Sequence, residues 1–475
     1  MQNKEQHTHP GAGRRAPLLA VLGILVLLAQ VARAEDRVCR FRHCATAALS
    51  ISTDDGALGS VVSTEARYYG DPRRLEDPDD PNGWGEQLRV ESIPTTYLAI
   101  SAQYRIQMTH YLDTRQIDEP PDHAPASPAP FSAPPNPPFE HNYGFWPGES
   151  QGPGNAGTWD DWANVASLGH EIGSHSVNHP TGGIDSEHAD APLWSGAGYD
   201  PPFHGWLPAF PSWWQEYLEA REDGVNRSFR APTDELAVSK WRIEQQLRAR
   251  AARYPALKDY TVLSFAYPMG DSAAYRETGA HYVSARLAAG GPVDGAVGPP
   301  DWRRMPAVAW EADNLPKMIS EVDAAIASGS WLHQWGHGLG RIFCCYLNPD
   351  TFVAFVAYAA ARRDAGELWI DTVGNVSRYL RERLDATLAV DRGDLSGGGV
   401  IAVTLRLRTL PGHPLAAVYT VPLTVELGVP STWRMAAVRR GELVEQVPIE
   451  RAVARFDVIP DGSLVELSEG PGIAW

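Results

Sequence analysis

Positive charge is scarce in this chain. Against 58 Asp and Glu stand 41 Lys and Arg, a formal net charge of −17. A phosphate-rich partner needs a basic footprint that such a chain does not offer, so no nucleic-acid partner is expected. A neutral or cationic substrate fits better. Cysteine is scarce too, with four residues at positions 39, 44, 344 and 345. Neither close pair has C-x-x-C spacing, which argues against a thiolate zinc site. In an exported chain disulfides are expected instead, and sequence leaves all three pairings open. Beyond the N-terminal leader no stretch is long and apolar enough to span a bilayer, and no internal repeat is present.

The leader itself is well marked. Lys4, Arg14 and Arg15 precede the apolar run "APLLAVLGILVLLAQ", and Ala32-Arg33-Ala34 supplies a small-residue cleavage site. Residues 1–34 therefore read as a signal peptide, and the mature chain is expected to be exported, either secreted or periplasmic, with no membrane span left. No cysteine follows the cleavage site to take a lipid. Aromatic residues are plentiful, with 16 Trp and 17 Tyr. Clusters such as Trp206, Trp213, Trp214 and Tyr217 suit sugar faces as well as they suit core packing.

From residue 45 to about 388 strand-like and helix-like stretches alternate, the pattern of an α/β architecture with mostly parallel strands. "AALSISTDDG" (47–56) reads as a buried strand ending in a turn. "TWDDWANVASLG" (158–169) reads as a helix with a capping box from Thr158 to Asp161. "EIGSHS" follows as a strand that places His175 near its end. A helix over 234–251 precedes the strand "YTVLSFAYP" (260–268). Leu315, Ile319, Val322 and Ile326 recur at helical spacing up to Gly329, and the strand "SWLHQWGH" (330–337) comes next. A further helix is expected over 350–365, then "LWIDT" and "NVSRYLRER". Two segments interrupt the rhythm: 66–157, which contains "EPPDHAPASPAPFSAPPNPPF", and the Gly/Pro/Trp-rich 181–227. Both are expected to be inserts that could wall a cleft. Beyond about 390 the period drops to two, with Val403, Leu405 and Leu407 alternating with Thr404, Arg406 and Arg408. Leu423, Val425 and Leu427 repeat the pattern. Residues 389–475 are therefore expected to form a small all-β sandwich domain.

The chemistry centres on two strand ends. Asp54-Asp55 closes a buried strand, where two carboxylates are expensive without a cation or a task. The pairs Asp79-Asp80 and Asp160-Asp161 lack that placement. His175 and His179, in "GHEIGSHSVNH", stand at the end of another strand. One carboxylate and two imidazoles suit a catalytic zinc with an open position for water. The second aspartate could then act as general base. In "WLHQWGHG", His333, Trp335 and His337 share one strand face, and a histidine there could protonate a leaving group.

The order "STDDG", "GHEIGSHSVNH", "SFAYPMGD", "WLHQWGHG" resembles the polysaccharide deacetylase (NodB-homology) family, carbohydrate esterase family four, over most of 45–385. The resemblance implies a distorted (β/α)7 barrel for 35–388 and one divalent metal, with zinc expected. It implies Asp55, His175 and His179 as metal ligands, Asp54 as base, and His337 rather than His333 as acid. Trp335 stands where a leucine lines the acetyl pocket, and the Met269 N–H is the implied oxyanion contact. His170 and Ser176 match supporting positions, and Asp371 on the following strand is a possible partner of the acid histidine. One position departs from the pattern. The arginine that pairs with the base is replaced by Ala266, and Arg230 in "SFRAPTDE" is the expected substitute. The implied function is a secreted, metal-dependent carbohydrate deacetylase acting on an acetylated glycan, N-acetyl groups foremost. The alternatives are an O-acetyl esterase of the acetylxylan type and an inactive, glycan-binding relative, which the missing arginine would favour.

Overall fold

A computed structural model describes residues 36–54, 97–114, 117, 158–177, 233–270, 278–311, 314–337, 339, 345, 347–393, 395 and 399–471, the side chains of 233, 234 and 269 excepted. The expected signal peptide and the insert at 181–227 lie outside these residues. So does most of 66–157. No helix among the described residues is long and apolar enough to cross a membrane.

The first half builds a ring of short strands. These are β2 (Ala47–Thr53), β3 (Thr109–Leu112), β4 (Glu171–Ser174), β5 (Ser264–Ala266), β6 (Ser284–Arg286), β7 (Val293–Asp294), β8 (Val308–Ala309), β9 (Ser330–Gly336) and β10 (Leu368–Ile370). They pair in the order β6-β5-β4-β3-β2-β9, all parallel. The run then returns from β9 through β8, and a parallel bridge from Met305 to Arg286 carries it back to β6. β10 pairs with the first half of β2, and β7 adds an antiparallel edge to β9. Because the ring strands run the same way, their C-terminal ends share one rim.

Helices cover the outside: α1 (Tyr97–Tyr104), α2 (Trp159–Ser167), α3 (Thr233–Arg248), α4 (Leu315–Ser328), α5 (Pro349–Asp364) and α6 (Val373–Asp385). The capping box foreseen at Thr158 is present, its hydroxyl accepting from the Asp161 N–H while the Asp161 carboxylate accepts from the Thr158 N–H. Leu49, Ile51, Leu112, Ile172 and Phe265 point outward from the strands into one core with Trp162, Val322 and Phe355 from the helices. His110 and His170 belong to this outer layer. Their rings stack 5.4 Å apart, and burial holds both largely uncharged, His170 down to about 4.

One expectation is corrected here. The segment 66–157 is not wholly an excursion, because it contains α1 and the ring strand β3. The proline-rich stretch from 118 onward, lying outside the described residues, dominated the composition and hid a four-residue strand too short to announce itself by periodicity.

The C-terminal part is an eight-stranded antiparallel sheet. It comprises β11 (Ala386–Arg392), β12 (Ile401–Leu407), β13 (Leu423–Gly428), β14 (Met435–Arg440), β15 (Leu443–Glu450), β16 (Val453–Val458) and β17 (Asp461–Glu469), and its eighth strand is β1 (Arg37–Val38). The two-residue period behaves as read: Ile401, Val403 and Leu405 are buried, and the residues between them are less so. The sheet begins at Ala386, three residues before the expected boundary, and recruits the N-terminal residues 37–38 onto the edge of β13. Next to them Cys39 and Cys44 form a disulfide. Cys344 lies outside the described residues. α6 joins the two halves. Val373, Val376, Tyr379 and Leu380 share an apolar cluster with Trp331 and Trp369 on one side and with β12 and β13 on the other. The C-terminal sheet is therefore packed on the ring.

Candidate functional site

Side chains alternate along a strand, so every second ring residue points inward. The inward set is polar at both levels. At the floor, Glu171 accepts hydrogen bonds from the hydroxyls of Thr109 (2.9 Å) and Ser264 (2.7 Å) and from the Gly374 N–H (2.7 Å) in the first turn of α6. A carboxylate at a helix N-terminus is favourably placed. Gly374 must be glycine, since an added Cβ would stand 2.6 Å from Glu171 Oε1. Burial pushes the Glu171 carboxyl above its usual range, and the three donors oppose that shift.

Above this floor lies Tyr111, its ring resting on Gly173, where a Cβ would fall 2.5 Å from Tyr111 Cδ1. That contact explains the glycine in "EIGSH". His333 faces inward from β9 and meets the Ser52 hydroxyl through Nε2 at 2.8 Å. Burial first, and the nearby Arg286 second, drive its imidazole well below the usual histidine range, so it is neutral at neutral pH.

The rim carries the charged groups. Asp54 follows β2 directly, its N–H donating to the Gly336 carbonyl at 3.0 Å. His175 follows β4, its N–H donating to the Leu112 carbonyl at 2.9 Å. Ser176 then turns the chain with a φ of 84°, in the left-handed region. Such a conformation costs a non-glycine residue about 1–2 kcal/mol, and it ends the strand abruptly behind the histidine. Asp54 and His175 are 3% and 2% exposed, and His175 Nε2 lies 3.9 Å from Asp54 Oδ2. The other carboxylate oxygen, Oδ1, accepts from Nη2 of Arg286, which is fully buried. A buried carboxylate is thus paired on one side and turned toward an imidazole on the other.

The tautomer of that imidazole follows from its other nitrogen. His175 Nδ1 is 2.8 Å from the carbonyl of Ala266. A carbonyl can only accept, so Nδ1 carries the hydrogen, and a neutral ring then presents the Nε2 lone pair to Asp54. Two electron-rich atoms facing each other in a buried place call for a cation or a proton between or beside them. A ring N–H donated to a backbone carbonyl is also the usual arrangement of a metal-ligating histidine. The donor chemistry at His175 therefore fits a divalent ion. Asp55 and His179, the other expected ligands, lie outside the described residues, within which no group of three His, Cys, Asp or Glu is placed to hold a metal.

The remaining expected residues fall as follows. Trp335 is buried on β9, and its Nε1 donates to the Ala288 carbonyl at 2.9 Å. His337 is half-buried just past the strand, its N–H donating to the Cys345 carbonyl at 2.9 Å, with its ring 5.4 Å from that of Trp335. Met269 sits in the short turn Pro268–Gly270 after β5, at the same rim. Among the described residues Asp371 partners no histidine. Its carboxylate accepts from the Thr372 N–H and the Asn375 Nδ2, both at 2.7 Å. It braces the first turn of α6, whose N-cap is Thr372, because β10 ends halfway up β2, with Ile370 opposite Leu49, and never reaches the rim. Arg230 lies outside the described residues. The arginine beside Asp54 is Arg286, which sequence reading passed over. Its only signal was an arginine inside the short β-prone run "HYVSARL".

No family model and no curated protein matches the chain. Among solved structures it is similar to a candidate polysaccharide deacetylase of Mycobacterium smegmatis, at 11% identity and TM-score 0.34, covering 73% of this chain and 93% of that one. It is also similar to a family 4 carbohydrate esterase from Streptomyces lividans in complex with acetate, at 11% identity and TM-score 0.25, covering 68% and 91%. A maltogenic alpha-amylase from Thermotoga neapolitana scores 0.27 at 9% identity, covering 89% and 99%. Scores this low carry no argument for one barrel chemistry over another, and the function has to be read from the site.

Proposed function

We propose that this chain is a metal-dependent carbohydrate deacetylase. The observation that carries the reading is the rim group in which Asp54 is held by Arg286 while its second oxygen faces Nε2 of a histidine whose Nδ1 is anchored on the Ala266 carbonyl. Asp55, His175 and His179 would hold a divalent ion, zinc being best suited to that donor set. Such an ion polarises an acetyl carbonyl and makes water more acidic. Asp54 then takes the proton of the attacking water as general base. Its Oδ1 stays bonded to Arg286, which leaves Oδ2 for that proton. The Met269 N–H at the rim is proposed to donate to the developing oxyanion.

His337 is proposed to return a proton to the departing sugar nitrogen or oxygen. The choice of His337 over His333 is supported by position, since His337 is half-buried at the rim whereas His333 is enclosed below it and held neutral. Trp335, with its indole N–H tied to Ala288, would form a fixed wall of the acetyl pocket. The arginine missing at 266 was the main support for an inactive relative, and an arginine bonded to Asp54 from β6 removes it.

The test is acetate release by the purified chain from N-acetylglucosamine oligomers and from acetylated xylan. Activity lost on chelation and regained with zinc is expected. Silence on both polymers with zinc bound would overturn the proposal, and the preferred polymer would separate N- from O-deacetylation.

A further inference from the structure

We infer that Arg286 is the positioning residue of Asp54, and that it performs from β6 the task for which residue 266 on β5 carries no suitable side chain. The inference rests on the reading of Asp54 as the base. Its first support is register. Ala266 and Arg286 are direct partners in the parallel pairing of β5 and β6. Neighbours in register project to the same side of a sheet, here the ring interior. A methyl group at 266 therefore leaves beside it the volume that a guanidinium at 286 takes up. The two side chains are complementary in size.

The second support is how the guanidinium is held. It is fully buried, and Asp54 is its only carboxylate partner among the described residues. Nη1 donates to the Leu287 carbonyl at 3.3 Å, while Nε has no hydrogen-bond partner. The ring centroids of Tyr111 and Trp335 lie 5.1 and 4.6 Å from Cζ. A flat, delocalised cation accepts such stacking where an ammonium would not, so lysine cannot reproduce the site. With Oδ1 fixed on this plane, the Asp54 carboxylate cannot rotate, and Oδ2 stays on the His175 side. Trp335 is braced by the same group and by Ala288 two residues further on. One side chain thus sets both the base and the pocket wall.

The experiment compares R286M, R286A, R286K and the double exchange A266R/R286A with the wild-type chain on the substrate that the wild type deacetylates. R286M should lower kcat about 10- to 100-fold with KM changed less than about threefold. Its zinc affinity, measured by competition titration, should stay within about threefold of wild type. R286K should recover little, added guanidinium ion should restore part of the R286M rate, and the double exchange should regain at least about tenfold over R286A. A folded R286M with wild-type kcat, or one that has lost zinc, overturns the inference while leaving the deacetylase reading intact. Should R286M not fold, the double exchange decides: folded and inactive, it sinks the relocation. A silent wild type sinks both.

Discussion

Glu171 at the floor of the ring and Asp54 at its rim are both buried carboxylates, 5% and 3% exposed, yet their partners are of opposite kinds. Glu171 is surrounded by neutral donors, two hydroxyls and a helix N-terminus, that engage both its oxygens. Asp54 has a cation on one oxygen and, on the other, an imidazole nitrogen too distant for a hydrogen bond. A carboxylate whose two oxygens are both engaged by neutral donors holds structure together. One with an oxygen pinned and the other turned to a reactive site is prepared for proton transfer. Burial is common to both, so burial alone does not mark a functional acid; the inventory of what each oxygen meets does.

That contrast can be broken most sharply by removing the charge at each place. D54N should lower kcat about 10²–10⁴-fold with zinc still bound, and it should also lower Tm, because it leaves the buried Arg286 guanidinium without its carboxylate. E171Q keeps the size and one acceptor oxygen and lies below the rim, so acetate release per folded molecule should fall less than about tenfold; an equal loss in both variants would erase the distinction. Next in size, H337Q should cut kcat about 10²-fold, as expected for loss of a general acid, whereas H333Q should act mainly through stability. The floor is probed by G374A. Its new methyl group meets Glu171 and Leu263, and overpacking of this kind costs about 1–3 kcal/mol, read as a lower unfolding midpoint in denaturant with kcat per folded molecule retained.

The smallest expected effect is at a third buried carboxylate, Glu382 on α6, which accepts from the Val421 N–H at 3.0 Å and ties the ring to the C-terminal sheet. Burial raises it from 4.5 to about 8, against the weaker opposing pull of that hydrogen bond and of Arg378. Because the folded value lies above the unfolded one, its contribution to stability is complete below about 4.5 and is lost as pH rises through about 8. E382Q should therefore raise Tm by a few degrees at pH 9 and leave it unchanged at pH 4. A Tm profile identical to wild type across that range would show that the group is not held neutral in the fold.

Much of this was legible in the residues themselves. The capping box at Thr158, the helix ending at Gly329, the strand running into Asp54 and the alternation at 401–407 are all local patterns, each fixed by a few consecutive side chains. The strand β3 was not legible, because four residues beside a proline-rich stretch give too little period to read. Asp371 was misjudged for a related reason. A strand's length in sequence does not say how far up its neighbour it pairs, and β10 stops opposite Leu49.

The sequence by itself determined which chemical groups were on offer and which ends of which strands they occupied, because strand alternation and helix caps are short-range consequences of backbone geometry. Only the tertiary structure decided which arginine meets Asp54. Ala266 and Arg286 stand 20 positions apart in the chain and side by side in the sheet. Which of two neighbouring strands lends a side chain to a shared interior is settled by register and by the volume left vacant, quantities that do not exist until the strands have paired.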